Sequence, residues 1–180
     1  ATSLVLTGCS TSNDSGGDKS GEKTTGKGGN GKTVTIAFSA PAADHGWLAA
    51  LTKNAKNQAD ALKADVKFIS TEGAADVAAQ VAQVESLIAR KPDVLVILPQ
   101  DGAALTQVAQ EAMSKGIKVV NVDREFSSPS AYTTLIGGDN YGIGQQAGAY
   151  IADQLKCKGN IVEIQGIAGI SVTNDRTKGF

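Results

Sequence analysis

The sequence has few of the residues that carry out catalysis. It holds one histidine and one tryptophan. It has no serine in a nucleophile-elbow setting, no Cys/His cluster at metal-ligand spacing, and no Gly-rich phosphate loop after its first apolar run. An enzyme is therefore the least favoured class, and neither cofactor nor metal is expected. Charge of one sign is lacking too: the formal net charge is -1 and no Lys/Arg cluster is interleaved with aromatics, so nucleic acid is not an expected partner. No apolar stretch approaches the ~20 residues that a membrane-spanning helix needs. Cysteine is scarce, with Cys9 and Cys157 alone. If Cys9 is modified, Cys157 has no disulfide partner and the fold must rely on its core; Cys157 then reads as a small structural residue near a helix end.

What is present begins with a sharp change of composition. The apolar run Ala1-Thr2-Ser3-Leu4-Val5-Leu6 closes in Leu6-Thr7-Gly8-Cys9, and residues 10–32 carry almost no apolar side chains. Such a stretch cannot bury enough surface to fold. The junction resembles the lipobox of bacterial lipoproteins. That resemblance implies a signal-peptide remnant over residues 1–8, an acylated Cys9, a lipid-anchored disordered linker over 9–33, and an extracytoplasmic body held to the membrane through lipid.

From Lys32 onward, short runs rich in Val and Ile alternate with stretches of helical periodicity. The pattern predicts a βαβ series: strands at residues 34–38, 66–69, 94–98, 117–122, 132–136 and 160–164. The third is apolar without alternation, as expected for a parallel strand covered on both faces. Between the strands, Leu48, Leu51, Ala55 and Ala59 form one apolar stripe, Val77, Val81, Val84 and Leu87 a second, and Leu105, Val108 and Ala112 a third. Asp44 and Asp101 are placed to cap helices, and Gly116 to end one. Gly137-Gly138-Asp139-Asn140 interrupts the series before a Gly- and Ala-rich helix over residues 141–156, which marks the expected domain boundary. The expected division is a first lobe over 34–136 and a hinge with the start of a second lobe over 137–180. Because Lys178-Gly179-Phe180 falls inside a helix-like segment with no stop signal, the second lobe is expected to be truncated.

A parallel sheet wound by right-handed crossovers leaves ligands at the carboxyl ends of its strands. The residues predicted there are Ser39, the loop to His45 and Trp47, Gln100, and Asp123-Arg124. Asp123 and Arg124 together offer carboxylate acceptors and a planar donor fork, which match the vicinal hydroxyls of a sugar. Each charge-assisted bond contributes roughly 1.5–3 kcal/mol net, so a few of them with one stacking aromatic reach the ~8 kcal/mol of micromolar affinity. Trp47 either packs in the core, since it matches the apolar stripe, or stacks on the C–H face of a sugar. His45 either meets hydroxyls, caps the helix or faces solvent. Asp123 and Arg124 have the alternative of a strand-end turn and its surface ion pair.

These residues also resemble a family. Val122-Asp123-Arg124, Ile136-Gly137-Gly138-Asp139-Asn140, Glu163-Ile164-Gln165-Gly166-Ile167-Ala168-Gly169, Asn174-Asp175-Arg176 and Gly179-Phe180 are similar to the ribose/galactose-type periplasmic sugar-binding proteins, from about Val34 to the last residue. The resemblance implies an α/β fold, a parallel Rossmann-like three-layer sandwich of the type I periplasmic-binding-protein kind. Two such lobes close over a sugar, and the loaded protein, a monomer, docks on an ABC transporter permease. It further implies that Asp123 and Arg124 bind hydroxyls from the first lobe and Asn174 or Arg176 from the second, with Gly138, Asp139 and Asn140 at the hinge. The first loop departs from the ribose pattern: His45-Gly46-Trp47-Leu48 stands where Asn-Pro-Phe-Phe is typical, which opens the expectation to other pentoses, hexoses and polyols. The alternatives are the ligand-sensing core of a LacI-type regulator, whose helix-turn-helix residues 1–33 do not show, and a chemoreceptor binding protein.

Overall fold

The computed structural model describes residues 32–43 and 46–180. The first β-branched run forms β1 (Val34–Ser39), and the series continues as α1 (Gly46–Ala61), β2 (Val66–Ser70), α2 (Val77–Ala89), β3 (Val94–Ile97), α3 (Gly102–Ser114), β4 (Lys118–Val122), β5 (Thr134–Ile136), α4 (Asn140–Leu155) and α5 (Ser171–Gly179). The strands make one sheet in the order β2-β1-β3-β4-β5. Every pairing is parallel, with Ile36 opposite Val94 and Val94 opposite Lys118 at the centre.

Helices cover both faces. On one, α2 and α3 bring Val84, Leu87, Leu105 and Ala109 against Ala37, Leu95, Ile97 and Val119. On the other, α1 lays Leu48, Leu51 and Ala55 over Phe38, Val96 and Leu98. Successive β3 residues thus feed opposite cores, which is why its sequence does not alternate. The helix starts follow the local chemistry: Asp101 Oδ1 accepts the Ala104 N–H at 3.0 Å and Asp76 Oδ1 accepts that of Ala79 at 2.8 Å. Gly116, just past α3, takes φ +82°, a left-handed conformation that glycine adopts without a Cβ penalty.

The sequence expectation differs from the structure in several places. Asp44 lies outside the described residues. Residues 160–164 form no strand; Val162 and Ile164 are 87% and 93% exposed, because no neighbouring strand among the described residues offers partners for their backbone groups. The fifth strand is shorter than expected, since Tyr132 and Thr133 follow a 3-10 turn at Pro129–Ala131 that seals Ala131 into the core. Cys157 is exposed, with φ +56°, just beyond α4.

Beyond β5 the chain builds a helix pair. Asp139 caps α4 through the Gly142 N–H at 2.8 Å, and α5 packs against α4 so closely that a Cβ on Gly144 would meet the Arg176 carbonyl and one on Gly179 the Tyr141 carbonyl. Among the described residues, no helix is long and apolar enough to cross a membrane.

Candidate functional site

The winding of the sheet reverses between β1 and β3: β1 leads outward to β2, and α2 then carries the chain back across to β3. At such a switch point the connecting loops diverge and leave a crevice at the strand carboxyl ends. A cavity of about 480 Å³ opens at this end, lined by Trp47 from α1, Asp123 and Arg124 after β4, Gly166, Ile167 and Ile170 from the loop before α5, and Val172, Thr173 and Arg176 of α5. A larger cavity, about 860 Å³, lies at the opposite end among Ile88, Pro92, Asp93, Ile117 and Lys118. The smaller one holds the convergent polar groups expected of a ligand site on this architecture.

Asp123 adopts φ +65°, so the chain turns sharply as it leaves β4. Its N–H donates to the Ile136 carbonyl at 2.8 Å, which anchors the turn to β5. Left-handed backbone in a non-glycine residue is least costly for Asn and Asp. The turn sets two adjacent side chains at one cavity wall, with Arg124 Nε 4.0 Å from Asp123 Oδ2. The Arg124 guanidinium is largely buried and fixed by main chain: Nη1 donates to the Gln100 carbonyl at 2.7 Å and to the Pro99 carbonyl at 3.4 Å. Among the described residues, no hydrogen bond engages Nη2, so that half of the fork is available to an acceptor in the cavity. Asn121, fully buried near the end of β4, holds the loop from beneath: its Nδ2 donates to the Arg124 carbonyl and its Oδ1 accepts the Phe126 N–H, each at 3.0 Å. Next to the site, Tyr132 Oη donates to Glu125 at 2.7 Å, and that bond, with burial and the carboxylate charge, raises the phenol pKa above 10.0.

Across the cavity, Arg176 Nε donates to Asn140 Oδ1 at 2.9 Å, and the Asn140 amide donates to the Gly138 carbonyl at 3.3 Å. The residues expected at the hinge therefore form the entry to α4 and steady an arginine of the cavity wall. Trp47 is 51% exposed at the cavity mouth, while its neighbour Leu48 is 2% exposed and occupies the core. The apolar stripe is thus anchored by Leu48, and the indole lies outside it.

The other expected site residues lie elsewhere. Ser39 is fully buried, its hydroxyl accepting the Gln80 side-chain amide at 3.3 Å. Gln100 contributes main-chain groups, and its side-chain oxygen is buried without a hydrogen-bond partner among the described residues. Asn174 faces a neighbouring cavity of about 240 Å³ with Asp101, Glu125 and Ser171, and its amide donates to the Gly169 carbonyl at 3.2 Å. His45 and Cys9 lie outside the described residues. Sequence reasoning overlooked the apolar wall of Ile167, Ile170 and Val172, whose positions follow from tertiary packing and not from a local pattern.

Comparison with known proteins identifies the fold and the family. The chain is 32% identical over 152 residues to the ribose import binding protein of Bacillus subtilis, covering 84% of this chain and 49% of that one. It is 32% identical over 150 residues to the galactofuranose-binding protein of Escherichia coli, covering 82% and 46%. Among solved structures, an ABC transporter solute binding protein from Mycobacterium smegmatis with bound glycerol superposes with a TM-score of 0.73 at 35% identity, over 82% of this chain and 50% of that one. The chain spans about half the length of the curated relatives it matches, and its doubly wound parallel sheet is the type I periplasmic-binding-protein fold. Residues 36–180 match the periplasmic binding protein domain model, and the chain belongs to that family.

Proposed function

We propose that this chain is the sugar-binding first lobe, with the hinge and start of the second, of an extracytoplasmic solute-binding protein that captures a pentose, hexose or polyol and delivers it to an ABC permease. The cavity carries this reading: an indole half open to solvent beside a carboxylate and two guanidinium groups held by neighbouring hydrogen bonds. An aromatic face suits the C–H surface of a sugar, and Asp123 with Arg124 suits its hydroxyls. Indole, carboxylate and guanidinium groups around one cavity suit recognition of a ligand. Relatives named for ribose import and galactofuranose binding support transport over transcriptional control or chemosensing.

Residues 34–136 act as the first lobe and 137–180 lead into the second, which supplies the remaining sugar contacts on closure. Apolar side chains left exposed beside β5 and α4, among them Ile136, Val162 and Ile164, support a second lobe packed there. Acylation of Cys9 holds the monomeric protein near its permease, with residues 10–33 as the tether. The test is a thermal-unfolding screen of the two-lobed protein against pentoses, hexoses and polyols. A ligand that binds only the native state raises Tm by mass action, by about 2.7 kcal/mol of stability at a hundredfold excess over Kd. A Tm raised by no sugar across the panel rejects the reading.

A further inference from the structure

Gln80 is the buried polar residue that the site leaves unexplained. It lies on α2 at the same helical face as Val84 and Leu87, is 0% exposed, and directs its side-chain hydrogen bonds to the strand ends. Its Nε2 donates to the Leu98 carbonyl at 2.8 Å and to Ser39 Oγ at 3.3 Å, and its Oε1 accepts the Gln100 N–H at 2.7 Å. The sheet ladder explains why a side chain is needed here. The last rung between β1 and β3 is the Leu98 N–H to the Ser39 carbonyl at 3.0 Å. Pro99 follows, has no N–H to extend the ladder, and leaves the groups on either side to be satisfied otherwise. A primary amide presents a donor and an acceptor at one end, and so bridges the proline from Leu98 to Gln100.

The far side of that bridged turn holds Arg124: the Pro99 and Gln100 carbonyls are the acceptors of its Nη1. We infer that Gln80 is a positioning residue for ligand recognition. Without touching the cavity, it fixes the Pro99-Gln100 carbonyls and thereby the direction of the Arg124 fork. The consequence for sugar rests on the function proposed above; the effect on Arg124 does not.

The experiment is NMR of the 180-residue chain with 15N-labelled arginine side chains, comparing the parent sequence with Gln80→Leu and Gln80→Glu. Glutamate keeps the acceptor for the Gln100 N–H and removes the donor to Leu98. In both variants the Arg124 Nε–Hε signal is expected to shift by more than its linewidth and to lose order toward the flexible range, below about 0.6. The Arg176 signal, held through Asn140, and the methyl signals of Leu95 and Val119 stay in place. An unmoved Arg124 signal in a folded variant overturns the inference, and so does loss of fold in both variants, which would make Gln80 a core residue only. Sugar titrations of the same variants in the two-lobed protein separate the two claims. Where the parent protein binds, Gln80→Leu is expected to weaken Kd about tenfold, the weight of one hydrogen bond, and to add nothing once Arg124 is already Lys. Arg124 displacement in a protein that binds no sugar rejects the sugar reading and leaves the positioning role standing.

Discussion

Asp123 concentrates the argument at the scale of single residues. Its backbone is in the left-handed region, its N–H is tied to β5, and its carboxylate stands beside a guanidinium that main-chain carbonyls hold still. The sequence pattern alone placed Asp123 and Arg124 at a strand end, where a turn pair and a binding pair look the same. In three dimensions the Arg124 Nη1 is fixed on main-chain carbonyls and both residues line one cavity, the arrangement on which the proposed binding role rests. Replacing Asp123 by Ala is expected to weaken sugar binding by the two-lobed protein about thirtyfold, roughly 2 kcal/mol for a charged hydrogen bond in a closed site, read by titration calorimetry. Asp123→Asn serves as control, because asparagine tolerates the same backbone while losing the charge. An alanine variant with unchanged affinity would return Asp123 to its role in the turn. Ser39 shows the limit of position-based reasoning: it is at the predicted strand end, but its hydroxyl serves Gln80 inside the core. Gln80 itself left a signal in the sequence, a polar residue on an otherwise apolar stripe, and its meaning emerges only with the broken ladder at Pro99.

At the scale of elements, hydrophobic patterning locates β1 to β4 and α1 to α3, because each buries a stripe or a run that a local window captures; β5 and α4 follow from composition alone, since β5 is exposed throughout and α4 buries only Asn140 and Gly144. The segment over residues 160–164 misled for the same reason in reverse. Its composition suits a strand, but strand formation requires a pairing edge, and that is tertiary information. The α4–α5 pair depends on close approach more than on composition. Gly144 allows the Arg176 carbonyl to touch α4, and Arg176 in turn lines the cavity. Gly144→Val is therefore expected to push α5 outward and to lower unfolding stability by about 1–3 kcal/mol, the usual cost of overpacking. Urea unfolding checks the magnitude, and amide exchange checks that protection is lost first in α5. Stability and α5 protection equal to the parent would show that the helices are not in such contact.

At the scale of the molecule, two hydrophobic layers flank a parallel sheet, and the cavity lies at the strand ends where the winding reverses between β1 and β3. The polar residues around that point come from segments far apart in the chain, Trp47 and Arg176 among them, so their convergence is a property of the fold. The proposed function requires that this convergence recognise sugar hydroxyls. It is tested most directly by titrating the isotope-labelled 180-residue chain with ribose, galactose and a polyol while following amide, indole and guanidinium signals. Weak, saturable shifts confined to Trp47, Asp123, Arg124, Ile167 and Arg176 are expected, with a Kd near or above about 1 mM because one lobe supplies only part of the contacts. Absence of any shift at the cavity, or shifts gathered instead around Asp93 and Lys118 at the opposite end of the sheet, would contradict it.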